Sequence, residues 1–164
     1  MGWKGRVMQK FIKNFTEAES LLHGVDHLIY VSFPMIKDKR ILLTSLEKLR
    51  NCAVKCINSL LQYEYLHRRV KLYKDPHLNM KTFESKCARR YGFSETDLNS
   101  IKELFKFYNF HKKSSMEFMK NGDIFMLVNG PTPIRVNLEK IKILLNATKN
   151  LFNKIRHIII EKRS

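Results

Sequence analysis

The stretch 41–70, ILLTSLEKLRNCAVKCINSLLQYEYLHRRV, decides the fold. Apolar or neutral residues recur at Leu42, Leu46, Leu49, Ala53, Cys56, Leu60, Tyr63, His67 and Val70. The steps alternate between four and three, which aligns these side chains along one stripe of a single helix. Asp38 stands where an N-cap belongs, and Asp75-Pro76 reads as the stop. A helix continuous from Asp38 to Tyr73 has 36 residues and spans about 54 Å. That length suits the spine of a bundle or the seam of a dimer.

On the N-terminal side, Trp3, Val7, Met8, Phe11, Ile12 and Phe15 share one helical face, with Lys4, Arg6, Lys10 and Lys13 opposite. This basic amphipathic helix (residues 1–15) is expected to dock on the rest of the domain. Thr16 and Glu19 have capping-box spacing, which predicts a second helix to about Val31, with Pro34 marking its end. On the C-terminal side, Asn79 is placed to cap a helix over 80–91, closed by Gly92. Ser94 and Asp97 open the next helix, which carries Leu98, Ile101, Leu104, Phe105 and Tyr108 on one side. The period then changes. Turns at Asn121-Gly122 and Asn129-Gly130 flank strand formers at Ile124–Val128, and Ile134–Val136 follows, so residues 123–136 read as a small β-hairpin. Asn137 caps a last helix with a broad apolar face from Leu138 to Ile159 and basic final turns at Arg156, His157, Lys162 and Arg163.

The sequence thus predicts a mainly α protein: one domain over 1–164, a helical bundle around a long central helix, with one small hairpin. Its 164 residues can bury a sizeable core. At 44% hydrophobic it is no disordered tail, and only 6 Gly and 4 Pro leave little room for loops. Cys52, Cys56 and Cys87 are odd in number and lack framework spacing, which reads as reduced and intracellular, hence cytoplasmic. The N-terminus lacks the apolar run of a secretory signal, and Arg6 stands where a myristoylation signal needs Ser or Thr.

Charge carries the functional reading. Lys plus Arg number 31 against 15 Asp plus Glu, a net +16 that attracts polyanions. The densest run is residues 66–93, LHRRVKLYKDPHLNMKTFESKCARRYGF. Arg68, Arg69, Lys71, Lys74, Lys81, Lys86, Arg89 and Arg90 face only Asp75 and Glu84 there. Tyr73, Phe83, Tyr91 and Phe93 are threaded between them. Cations contact backbone phosphates, and aromatic rings stack on unpaired bases; Tyr91 and Phe93 read first as core anchors. The expected contact surface is Arg68, Arg69, Lys71, Lys74, Arg89 and Arg90, supported by Lys112 and Lys113. The partner is nucleic acid, RNA ahead of DNA, read by shape more than by sequence. An anionic membrane surface is the weaker alternative and rests on residues 1–15 alone. A Lys-, Asn- and Ile-rich genome would inflate the charge with no partner at all.

No catalytic set emerges. Walker, Rossmann and glycine-rich phosphate motifs are absent. His23 and His27 have i,i+4 spacing without the HExxH context of a zinc site. Cys52 and Cys56 read as small core residues. His67 beside Arg68 and Arg69, His111 beside Lys112 and Lys113, and His157 beside Arg156 are base–cation neighbours of the kind metal-free RNA cleavage needs, but such neighbours arise by chance in so basic a chain. No cofactor and no metal is implied.

The segments LLQYEYLHRRVKLYKDP, CARRYGF, HKKSSMEFMKNGDIFMLVN and LEKIKILLNATKNLFNKI, in that order, resemble small helical archaeal proteins and, in arrangement, HEPN domains. The resemblance covers about residues 25–158. It implies a four-helix bundle that often pairs as a dimer. HEPN ribonucleases carry an Arg followed, after four to six residues, by a His, and no Arg here has a His at that distance. The resemblance therefore implies a non-catalytic member, and no active-site residue carries over. The leading expectation is a basic RNA-binding protein, ribosome- or ribonucleoprotein-associated. A HEPN-type metal-independent ribonuclease or toxin and a dimeric helical interaction scaffold are the alternatives.

Overall fold

A computed structural model describes residues 2–160, without the side chains of residues 3 and 4. Trp3 and Lys4 as side chains, and Lys162 and Arg163, therefore lie outside the described residues. The elements follow as α1 (Trp3–His27), a π-turn (Leu28–Ser32), α2 (Phe33–Ile36), α3 (Lys39–Leu66), α4 (Pro76–Thr82), a second π-turn (Phe83–Ala88) and α5 (Arg89–Tyr91). Then come α6 (Glu95–Lys113), β1 (Met116–Lys120), β2 (Asp123–Leu127), β3 (Ile134–Val136) and α7 (Leu138–Ile160). The protein is mainly α, a bundle around one long helix with a small antiparallel sheet.

The spine is α3. Leu42, Leu46, Leu49, Ala53, Cys56 and Leu60 are all fully buried, as the four–three spacing demands, but the seam ends there: Tyr63 is half-buried, His67 is exposed and Val70 lies beyond the helix. Ser45, Cys52, Ile57, Ser59 and Leu61 are buried on its other sides, because α1, α6 and α7 all pack on it. The seam is filled within the chain, so a second copy would have to use another surface. Each leucine so buried contributes about 1.5–3 kcal/mol. Asp38 caps α3 by accepting from Arg40 N at 2.9 Å. The helix is shorter than expected: 28 residues, about 42 Å. It stops because His67 leaves helical geometry and Arg68 turns left-handed (φ 59°), letting Arg69 N donate to Glu64 O. Arg68, Arg69, Lys71 and Lys74 thus lie beyond the helix, in a strap over 67–75, and not in its last turns.

Three local readings are corrected. Thr16 does not open a helix; its Oγ1 donates to Ile12 O within a continuous α1. Burial of Phe11, Phe15, Ala18, Leu22 and Val25 carries that helix through. Pro34 does not end a helix either. It has no N–H, and its ring crowds the carbonyl four residues back; the wider turn at 28–32, with Phe33 N donating to Leu28 O, absorbs both. The chain then reverses at Lys37 (φ 55°). Lastly, Asp75-Pro76 begins a helix: Asp75 accepts from His77 N at 2.9 Å, with Pro76 in the first turn. Asn79 therefore does not cap.

Gly92 closes α5 in left-handed geometry, with Phe93 N donating to Ala88 O. Ser94 caps α6 by accepting from Asp97 N, and Asn137 accepts from Lys140 N at the start of α7. The hairpin of 123–136 is part of a three-stranded meander, order β1-β2-β3. The added strand is β1, joined to β2 by a two-residue turn at Asn121-Gly122 in which both residues have positive φ. Ile124, Met126 and Val136 point into the core, while Phe118 and Phe125 stack across strands on the other face.

Candidate nucleic-acid interface

The basic bend is built around one buried carboxylate. Glu64, 1% exposed in the last turn of α3, accepts from Arg69 Nε of the strap, from Arg90 at 3.3 Å and from the Tyr91 hydroxyl. The two Arg pairs of the sequence do converge, one member of each meeting at Glu64. Burial, together with the bond to Glu64, pushes the Tyr91 hydroxyl well above its ordinary range. Burial beside Glu64 pushes the Cys87 thiol up to about 11. These side chains serve the fold: they pin the strap and α5 to the end of α3. Tyr91 and Phe93 are half-buried, and Phe93 meets Phe83 edge-on at 5.4 Å.

Arg68, Lys71, Lys74, Lys81, Lys86 and Arg89 are exposed, and none forms an ion pair among the described residues. Most acids are already engaged: Glu17 with Lys55, Asp26 with Lys149, Glu84 with Lys102, Glu103 with Lys140, Asp123 with Arg135. Unpaired cations also occur elsewhere among the described residues, as at Arg6, Lys10 and Lys13 of α1; what distinguishes this end is that several of them border one groove beside exposed aromatic rings. Arg68, Arg69, Lys71 and Lys86 line an open groove of about 730 Å³ together with Tyr65 and Tyr73, which are 53% and 43% exposed. Exposed aromatic rings among unpaired cations are the combination that backbone phosphates and unstacked bases require.

The strap is held in shape by Asn79. Its Oδ1 accepts from Tyr73 N at 2.9 Å, and its Nδ2 donates to Tyr73 O at 2.7 Å. This two-point clamp sends Lys71 and Tyr73 to the first groove and leaves Lys74 on a second, between α3, α4 and α6. Arg90 lines only the small pocket at Glu64, and Arg89 lines none of these grooves. Lys112 stands apart from the strap, bound to Glu47 at 3.2 Å and 5.5 Å from the Tyr108 ring. Lys113 is exposed at the end of α6. Sequence reading left Lys86 out of the contact surface. The π-turn widens the helix around it and shifts its direction from an α-helical register, a change with no residue signature.

The histidine–cation neighbours are held in other contacts. His67 Nδ1 lies 2.9 Å from Tyr63 O, with its ring against Tyr63. His111 bridges Glu117 at 2.7 Å and Glu47 at 3.0 Å, and its hydrogen bond, aided by Lys112, holds the Glu47 carboxyl below its usual range. Arg156 pairs with Glu19. His23 lies 3.8 Å from Glu19, and His27 lies 3.3 Å from Ser32 Oγ. Among the described residues, no group of three His, Cys, Asp or Glu is placed to hold a metal ion, and no helix is long and apolar enough to cross a membrane. The cysteines are all free and buried. Comparison with protein-family models, curated proteins and solved structures finds no match.

Proposed function

We propose that the protein binds RNA through the groove beneath the 67–75 strap, engaging backbone phosphate as part of a ribonucleoprotein. The observation that carries this reading is the separation of roles within one basic segment. Arg69 and Arg90 are committed to Glu64, whereas Arg68, Lys71 and Lys86 border an open groove without a carboxylate partner. A merely solvated basic face has no reason to gather unpaired cations around exposed Tyr65 and Tyr73. Contacts of this kind recognise shape and charge ahead of sequence.

The test separates a built surface from bulk charge. Binding of a structured RNA is measured by fluorescence anisotropy for wild type and for a combined Arg68→Gln, Lys71→Gln, Lys86→Gln variant. The control variant, Arg6→Gln, Lys10→Gln, Lys13→Gln, removes the same charge from α1. The groove variant loses at least about tenfold in affinity and the α1 variant less than about threefold. Equal losses in both variants, or no binding by wild type, would overturn the reading.

A further inference from the structure

The second groove, on the other side of the strap, has a different chemistry. It encloses about 590 Å³, within the roughly 300–1,000 Å³ of small-ligand sites. Its floor is apolar: Val54 and Ile57 of α3, Met80 of α4 and Phe105 of α6. The Arg50 guanidinium lies 4.7 Å from the centre of the Tyr108 ring, so one wall presents a flat cation beside an aromatic face. Asn58 and Asn109 also line it; both are exposed, and neither side-chain amide has a hydrogen-bond partner among the described residues. That contrasts with Asn79, also in the lining, whose amide oxygen and nitrogen each bond the Tyr73 backbone. At the mouth stands Lys74, which forms no ion pair among the described residues.

An apolar floor, a flat stacking wall, two amides that can each donate and accept, and Lys74 as the unpaired lysine (Lys102, which also lines the groove, is bound to Glu84 at 3.2 Å) are complementary to a base carrying a phosphate. Bases stack on aromatic rings and guanidinium planes, and their edges hydrogen-bond to amides. A duplex hides both features, whereas a single strand can splay a base out. The strap joins this groove to the first, Lys71 on one side and Lys74 on the other, five positive or aromatic residues within 68–74. We infer that the groove between α3, α4 and α6 receives one unstacked base of a single-stranded RNA, with its phosphate at Lys74 and the flanking backbone crossing the strap to Arg68, Lys71 and Lys86. This rests on the phosphate-binding reading above and adds the state of the RNA that is bound.

The experiment uses the full chain, a 12-nucleotide single-stranded RNA, the same sequence as a duplex, AMP, and inorganic phosphate. Wild type binds the single strand about tenfold more tightly than the duplex, as expected for one base that must be stacked and held at its edge by both amides. The Asn58→Ala, Asn109→Ala variant, changed only at exposed positions, brings the two affinities within about threefold and leaves duplex binding unchanged. In NMR spectra, AMP shifts the side-chain amide signals of Asn58 and Asn109, and phosphate alone does not. Equal binding of strand and duplex by wild type, with a steep salt dependence, overturns the base site and leaves the phosphate surface standing. Binding of neither RNA overturns both. AMP binding without binding of the strand identifies a free nucleotide as the ligand and overturns the strand.

Discussion

Glu64→Gln is the substitution that most sharply probes how the strap is anchored. Glutamine keeps the volume and an acceptor for the Tyr91 hydroxyl while removing the charge that Arg69 and Arg90 face. Stripping one partner from a fully buried pair costs about 3–5 kcal/mol. Here the carboxylate is 1% exposed but the Arg69 and Arg90 side chains are 34% and 47% exposed. Water can take over much of their solvation, which lowers the expected cost to about 1–3 kcal/mol. For a chain of this length that is a fall in Tm of roughly 2–12 °C. Tyr91→Phe removes a hydroxyl bonded to the same carboxylate and costs about 1–2 kcal/mol, since the guanidiniums remain. Urea denaturation of the two single variants and the double variant closes a cycle. Groups sharing one carboxylate couple by at least about 0.5 kcal/mol, so the double variant loses less than the sum. Strict additivity, or a Glu64→Gln variant as stable as wild type, would refute the view that this cluster pins the strap to α3.

Asn79→Ala removes the clamp on Tyr73; RNA affinity falls about three- to tenfold, while the α-helical circular dichroism signal is retained. Gly92→Ala places the added carbon in ordinary contact with Lys154 Nζ at 3.9 Å, so its cost is that of the left-handed φ, about 1–2 kcal/mol in urea denaturation. Because the folded state holds the Glu47 carboxyl below its usual range, its contribution is full above the unfolded value of about 4.3 and is lost as pH falls through the lower folded value. The Tm gap between wild type and Glu47→Gln at pH 7 therefore narrows as pH is taken below about 4; a constant gap would contradict this. Leu49→Ala, in the centre of the filled seam, costs about 2–5 kcal/mol in the same denaturation assay.

The spine of the fold was legible because burial and spacing coincide in α3: a four–three repeat from Leu42 to Leu60 has one interpretation. Caps with short side chains, Asp38, Ser94 and Asn137, were legible because each satisfies a nearby backbone N–H. Thr16 and Pro34 misled, because tertiary burial on both sides of each residue outweighs a local stop signal. The strand β1 escaped notice because MEFMK lacks β-branched residues; its place is set by the Asn121-Gly122 turn and by pairing with β2. At the candidate site, charge density marked the segment but not the roles within it. Nothing in the spacing says that Arg69 turns back to Glu64 while Arg68, one residue earlier in left-handed backbone, does not. That division depends on a chain reversal, which sequence periodicity does not describe.

If the groove beneath the strap reads phosphate, RNA binding depends on salt in a way set by its cations. Each cation on a single strand contributes about 0.7 to the slope of log K against log salt. Replacing Arg68, Lys71, Lys74 and Lys86 together with Gln is therefore expected to flatten the slope by about 3 relative to wild type. A slope unchanged by those four replacements, or a wild type that binds no RNA even at low salt, would contradict the account.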